Sequence, residues 1–126
     1  MNLTIIDHFN LPVLDVEASK RIYQPVLAVL GIDQIFIDAD AVGFGRTNWE
    51  FGLVPASGEI QKLHLAFQAD SAQQVDEFHQ KAVDLGMKSN GAPGLRAEYG
   101  ENYYAAYFFD PDGHNIEAVY RGEMSA

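Results

Sequence analysis

Two histidines and two glutamates are the residues of this sequence best suited to hold a metal ion. His8, His64 and Glu117 each lie in a strand-like run with an apolar neighbour, and Glu50 stands between two aromatic residues. Because side chains alternate between the two faces of a strand, we expect all four to point away from the core. Two imidazoles with one or two carboxylates suit divalent Zn, Ni, Fe, Mn or Co. The pattern therefore predicts a site for one divalent metal ion, whose identity the sequence leaves open.

The elements that would position these residues begin with a strand predicted over residues 3–11, which carries His8 and is closed by Pro12. Asp15 is placed to cap a helix over residues 16–30, which ends at a glycine. An isolated strand histidine is more often just a polar residue on a solvated face. His8 therefore needs support from elsewhere in the chain.

That support comes from an internal repeat. Residues 62–68 predict a second strand, which carries His64, and Asp70 with Gln73 forms a capping-box pattern for a second helix that ends at Gly86. In both halves a histidine precedes the capping aspartate, by seven positions in the first half and six in the second. This shared frame favours duplication of one unit, and it favours the two histidines as a pair of ligands.

Each helix is followed by three strand-like runs, which makes each half a βαβββ module in an α+β fold. These runs are residues 34–37, 41–45 and 49–54 in the first half, and 87–89, 103–109 and 115–120 in the second. We expect a single domain over residues 1–126, with module one at about 3–55 and module two at about 61–121. A Gly/Pro-rich connection over residues 90–102 has no counterpart in the first half, and such insertions often carry function.

Composition narrows the classes of partner. Eighteen acidic against eight basic residues give a net charge of −10, so nucleic acid and anionic membranes are poor partners and a small molecule is the expected one. The absence of cysteine excludes disulfides and thiolate zinc sites and fits a reducing cytoplasm. No apolar stretch approaches the ~20 residues that span a bilayer. We expect a cytoplasmic protein.

Four further residues are candidates for substrate binding: Arg96, Tyr103, Tyr104 and Arg46. In a substrate-binding site, an arginine would pair with a carboxylate or an enolate of the substrate, and a tyrosine hydroxyl would orient that group. The alternative is equally plain: the arginines are loop cations and the tyrosines are ordinary β-sheet aromatics. The sequence leaves both interpretations open.

Three segments of the chain resemble the vicinal oxygen chelate superfamily, which includes glyoxalase I, extradiol dioxygenases and the fosfomycin- and bleomycin-resistance proteins. The segments are IDHFNLPVLDVEASKRIY, LHLAFQADSAQQVDEFHQKA and YYAAYFFDPDGHNIEAVY, so the likeness covers nearly the whole chain. Its most specific part is DPDGHNIE, which ends at Glu117, the position of a metal carboxylate in the metal-binding members. His8 and His64 match the first-strand and fifth-strand ligands, and Glu50 matches a fourth-strand glutamate.

The resemblance implies curled mixed sheets that form a cup around the metal, with a substrate that presents two adjacent oxygens to it. It also implies a homodimer. The ion would act as a Lewis acid, and the two glutamates are the catalytic candidates, Glu50 as ligand and general base and Glu117 as ligand.

The resemblance leaves three functions open, because no glutathione-binding set and no fosfomycin-type potassium loop can be identified. The first is a metal-dependent lyase or isomerase of glyoxalase type. The second is a non-catalytic resistance-type protein that sequesters a flat aromatic ligand in the same cup. The third is a ring-cleaving dioxygenase.

Overall fold

A computed structural model describes residues 5–122 of the chain. The contacts divide it into two compact units, one that ends at Ile60 and one that begins at Gln61, and each unit is described by itself. Among the described residues, neither helix combines the length and apolar character that a membrane span requires.

Unit 1 is a four-stranded mixed sheet with one helix. Its elements in chain order are β1 (Phe9–Val13), α1 (Val16–Val29), β2 (Gln34–Asp38), β3 (Ala41–Gly45) and β4 (Phe51–Pro55). The sheet order is β1-β4-β3-β2, with β1 parallel to β4 and the other pairs antiparallel.

Unit 2 repeats this plan. Its elements are β5 (His64–Gln68), α2 (Ala72–Asp84), β6 (Lys88–Leu95), a short 3-10 turn (Ala97–Tyr99), β7 (Tyr103–Phe109) and β8 (Asn115–Arg121). The sheet order is β5-β8-β7-β6, and β5 is again parallel to β8. The predicted α+β fold of two βαβββ modules is therefore confirmed.

In each unit the helix packs on one face of the sheet and forms the core there. Tyr23 of α1 lies 5.2 Å, centroid to centroid, from Phe51 of β4, and Phe78 of α2 lies 5.3 Å from Phe108 of β7. All four rings are buried. Because strand side chains alternate, the residues between these core positions point to the other face of each sheet.

The first strand differs from its prediction. It runs from Phe9 to Val13 and contains Pro12, so the proline does not close it, and His8 lies one residue before it. A proline is tolerated because β1 is an edge strand, where a missing backbone donor costs no ladder bond on the open side. The part of the prediction that concerned residues 3–4 lies outside the described residues.

The second helix is capped by Ser71, not by Asp70 as predicted. The Ser71 hydroxyl accepts from the backbone N–H of Gln74 at 3.1 Å, and Asp15 does the same for Ala18 in α1. Adjacent cap-forming residues made the sequence ambiguous here. With Ser71 as the cap, a histidine precedes the cap by seven positions in both units, since the pairs are His8 with Asp15 and His64 with Ser71. The correction makes the repeat more regular than the sequence suggested.

Two other boundaries also moved. The sixth strand, predicted to end at residue 89, continues to Leu95 through irregularities between Ser89 and Gly91 and between Gly91 and Gly94. Much of the expected 90–102 connection is thus strand, because edge bulges accommodate the glycines that looked like loop. In unit 1, β4 begins at Phe51, so Glu50 lies just before the strand.

Candidate functional site

The uncovered face of the unit 2 sheet carries a cluster of polar and aromatic side chains. On β8, Glu117 lies opposite Tyr107 of β7 and opposite Ala66 of β5. Because side chains alternate along each strand, six polar or ionisable residues lie on this one face. They are His64, Tyr103, Tyr107, Asn115, Glu117 and Arg121.

Glu117 is the centre of this group. Its side chain is 1% exposed, and its Oε1 lies 2.7 Å from Nε2 of His64, whose side chain is 54% exposed. The hydroxyl of Tyr103 donates a hydrogen bond to the other carboxylate oxygen. A carboxylate removed from water needs such partners, because burying it unpaired costs several kcal/mol. The structure thus brings two of the predicted ligands together, and their role as ligands stays a prediction.

The neighbouring phenols are held in their protonated form. Burial, the hydrogen bond to Glu117 and the negative charge of that carboxylate together raise the pKa of Tyr103 well above its usual range. Burial first, and then the charge of Glu117, also raise the pKa of Tyr107. Both tyrosines therefore remain hydrogen-bond donors at neutral pH.

These side chains line a cavity of about 560 Å³ within unit 2. The lining residues are His64, Tyr99, Tyr103, Tyr107, Asn115, Glu117 and Arg121. Of these, four do not belong to the eight candidates named from the sequence: Tyr99, Tyr107, Asn115 and Arg121. The signal that could have found Asn115 and Arg121 is parity, since both lie an even number of positions from Glu117 on the same strand.

Three of the four predicted substrate-binding residues, Arg96, Tyr104 and Arg46, do not line this cavity. The Arg96 guanidinium donates to the carbonyl oxygen of Ala92 at 2.6 Å and lies 5.3 Å from the ring centroid of Tyr107. The Tyr104 hydroxyl donates to Asp76 of α2 at 2.6 Å, on the helix-covered side of the sheet. Tyr103 is the predicted substrate-binding residue that does line it. The roles of Arg96, Tyr103 and Tyr104 in substrate binding stay predictions.

In unit 1 the two predicted ligands already have polar partners of their own. Nδ1 of His8 lies 2.7 Å from a carboxylate oxygen of Asp7. Glu50 accepts from the backbone N–H of Arg46 at 2.9 Å and from its guanidinium at 3.3 and 3.4 Å. Arg46, predicted to bind substrate, is therefore bound to Glu50. Burial acts to raise the pKa of Glu50, but the hydrogen bonds and charge of Arg46 outweigh it, so the pKa is lowered.

The register shows how far the repeat extends. In unit 2, Glu117 pairs with Ala66, two positions after His64. In unit 1, the residue two positions after His8 is Asn10, and its partner on β4 is Gly52. Gly52, rather than Glu50, occupies the position equivalent to Glu117.

The face around Gly52 is occupied by an indole. A Cβ added to Gly43 would lie 2.1 Å from the Trp49 ring, and one added to Gly52 would lie 2.6 Å from it. The ring N–H donates to Asn10 at 2.8 Å. Trp49 therefore lies flat on the sheet at the place where unit 2 carries its carboxylate.

His64 and Glu117 are residue types that bind divalent metal ions, and their shared role as ligands stays a prediction. Their nearest donor atoms are 2.7 Å apart, which is a hydrogen-bonding distance and shorter than the separation of about 3 Å or more between two ligands on one ion. The rest of the predicted set, His8 and Glu50, belongs to unit 1. Within residues 5–122 there is no group of three or more His, Cys, Asp or Glu side chains arranged to hold a metal.

Comparison with known proteins adds a family and several relatives. The model of the Glyoxalase/Bleomycin resistance protein/Dioxygenase superfamily matches residues 5–118. The uncharacterized protein YqjT of Bacillus subtilis is 26% identical over 122 residues, which cover 89% of this chain and 95% of YqjT.

Solved structures agree in fold. A glyoxalase/bleomycin resistance protein from Albidiferax ferrireducens is 29% identical, with a TM-score of 0.81, 94% of this chain covered and 100% of that one. Lactoylglutathione lyase from Agrobacterium tumefaciens has a TM-score of 0.68 and 20% identity, with 95% of each chain covered. At that identity the second likeness concerns the fold alone.

Proposed function

The chain belongs to the Glyoxalase/Bleomycin resistance protein/Dioxygenase superfamily, and on that basis we propose that it is a metal-dependent enzyme of glyoxalase-like type. Its substrate is a small molecule with two adjacent oxygens, and its reaction is a lyase or isomerase step. The observation that carries this proposal is the buried carboxylate of Glu117, which lines a cavity and lies 2.7 Å from the imidazole of His64.

In this proposal His64 and Glu117 hold one divalent ion, together with His8 and Glu50. When bound, the ion supplies Lewis acidity toward the oxygens of the substrate. The Tyr103 hydroxyl donates to Glu117 and fixes the orientation of its carboxylate, in the way that outer hydrogen bonds orient metal ligands.

Two carboxylates are candidates for the catalytic base, Glu50 and Glu117. Glu50 already carries charge compensation from Arg46, and its lowered pKa makes it a weaker base. Glu117 lines the cavity, where a substrate could reach it. These contacts support Glu117 over Glu50, although the sequence favoured Glu50 for the role.

A second candidate is the non-catalytic protein that sequesters a flat aromatic ligand. The observation that favours it is the lining itself, since three of the seven lining residues are tyrosines: Tyr99, Tyr103 and Tyr107. Their rings offer faces and edges for stacking. Binding of an aromatic compound by metal-free protein, without turnover, would support this candidate.

Metal binding is the first test. Protein purified without an affinity tag should bind close to one transition-metal ion per chain, as measured by elemental analysis and by titration with Zn²⁺, Ni²⁺, Co²⁺ and Mn²⁺. We expect His64→Ala and Glu117→Gln each to lower the affinity by about a hundredfold or more, because each removes a ligand and outer partners alone account for 10–100-fold.

The matched control is His79→Ala. His79 lies on α2 and contacts Ser89, away from the cavity, so its loss should leave the metal affinity unchanged. Unchanged metal content in His64→Ala would remove that residue from the site. Retention of both metal and turnover in Glu50→Gln would remove Glu50 from the set.

Turnover is tested by proton exchange. With metal-loaded protein in D₂O, the α-protons of hydroxyacetone should exchange faster than in buffer with the same metal, as followed by NMR. A homodimer and a cytoplasmic location are part of the proposal, and mass photometry at several concentrations checks the first.

A further inference from the structure

Arg121 is the one arginine that lines the unit 2 cavity. It makes no ion pair with any acidic side chain among residues 5–122, in a chain with eighteen acidic residues and eight basic ones. Its guanidinium lies 4.9 Å from the ring centroid of Tyr103. A cation–π contact of this kind holds the group in place and leaves its forked N–H donors available.

The position of Arg121 relative to Glu117 defines a length. Both side chains contact Tyr103: the guanidinium lies over its ring, and the carboxylate accepts a hydrogen bond from its hydroxyl. The cation and the His64–Glu117 pair are therefore separated by roughly the span of one phenol. A ligand of about the size of one substituted aromatic ring would reach both.

The charges of Glu117 and Arg121 at the two ends of the cavity determine how such a ligand is oriented. Glu117 repels an anionic group from its end, whereas the guanidinium of Arg121 attracts one and can bind a carboxylate through two parallel hydrogen bonds. The net charge of −10 repels anions, but salt screens that repulsion at distances beyond ~10 Å. Inside the cavity, the positive charge of Arg121 therefore outweighs the net negative charge of the protein and attracts an anionic group.

We propose that Arg121 is a specificity-determining residue that selects a ring-sized carboxylate, binding its carboxylate group while the oxygens at the opposite end of the ring face His64 and Glu117. This inference rests on the proposed function for the use of the His64–Glu117 end, but the arginine end follows from the cavity alone. Asn115, which accepts a hydrogen bond from Asn90 through its carbonyl oxygen, presents its amide on the same face.

The test compares three ligands that differ at one substituent: 3,4-dihydroxybenzoate, 3,4-dihydroxybenzamide and catechol. Binding is measured by isothermal titration calorimetry to protein loaded with Zn²⁺, a redox-inert ion that does not oxidise the ligands. Wild-type protein should prefer the acid over the amide by about tenfold to a hundredfold, the range expected for one charge-assisted contact.

The variants are Arg121→Gln, Arg121→Lys and, as a matched control on α1, Arg21→Gln. Arg121→Gln should abolish the preference for the acid while catechol affinity stays within about twofold, which also shows that the cavity is intact. Arg121→Lys should keep part of the preference, because it retains the charge but loses the fork. Arg21→Gln should behave as wild type.

The outcomes separate the two proposals. If the metal and catechol bind but the acid and the amide bind equally, or if Arg121→Gln keeps the preference, the role of Arg121 is overturned and the metal site stands. If neither the metal nor any of the three ligands binds to wild-type protein, the proposed function fails and this inference fails with it.

Discussion

The two units have the same topology but differ on the sheet face that the helix leaves uncovered. In unit 1 the central pair on that face is Gly43 and Gly52, and Trp49 lies across both. In unit 2 the equivalent pair is Tyr107 and Glu117, and the face lines a cavity. One backbone plan thus gives a closed face or an open one, depending on whether the central positions are small enough for an indole to cover them.

The contrast also concerns charge. In unit 1 the nearest predicted carboxylate, Glu50, precedes its strand and is paired with Arg46. In unit 2 the carboxylate of Glu117 is buried mid-strand and paired with an imidazole and a phenol. A guanidinium compensates a carboxylate permanently, whereas an imidazole can be neutral and bind a metal. The difference supports the proposal that Glu117, rather than Glu50, is the catalytic base.

The packing of Trp49 on the closed face of unit 1 can be disrupted by a substitution at Gly43. Because a Cβ there would lie 2.1 Å from the indole, Gly43→Ala must displace Trp49, and we expect the free energy of unfolding to fall by about 1–3 kcal/mol. Denaturant titration measures this. Gly122→Ala is the control, since its Cβ would meet nothing closer than 3.4 Å. Equal stability of the two variants would mean that the indole does not lie on this sheet.

The equivalence of the two helices can be tested by removing their N-cap side chains. Asp15→Ala and Ser71→Ala should each lower the free energy of unfolding by about 1 kcal/mol, because each removes the side-chain acceptor of an N-terminal backbone N–H. Asp70→Ala, one position earlier, should have little effect in the same thermal or denaturant experiment. A larger loss for Asp70 than for Ser71 would restore the cap predicted from sequence.

The smallest expected effect concerns His79, which occupies the repeat position of the buried Tyr23. Burial lowers the pKa of His79, and the charge of Asp76 only partly opposes this. The unfolded state then binds more protons near pH 6, so stability should rise with pH through the region just below the ordinary value of 6.5.

His79→Gln should remove that pH dependence. We expect wild type to gain up to about 1 kcal/mol relative to the variant between pH 5 and pH 8, a size limited by the half-exposed position. Chemical denaturation at the two pH values gives the difference directly. A wild-type protein that gains stability on acidification, relative to the variant, would contradict the sign.

Much of the fold could be predicted because it depends on local pattern. Alternating apolar residues located six of the eight strands closely, all except β1 and β6, and cap and glycine signals located both helices. The prediction failed where two residues had similar local preferences, as at Asp70 and Ser71, or where glycines in an edge strand resembled a loop, as in β6. In such places the tertiary contacts choose between local structures of nearly equal energy.

The site was predictable in part for the same reason. That His64 and Glu117 face the same side of their sheet could be predicted, because side chains alternate along a strand whatever the fold. Tyr107 was missed because tyrosine suits either face of a sheet, and Arg121 was missed because an exposed arginine at the end of a strand carries no pattern.

The sequence by itself determined the repeat, the α+β plan and the sheet face on which His64 and Glu117 lie, since these follow from periodicity. Only the tertiary structure decided that Gly52 occupies the position equivalent to Glu117, that Arg46 neutralises Glu50, and that Arg121 lines the cavity. Register between strands is fixed by packing and hydrogen bonding across the sheet, which residue order along one strand does not specify.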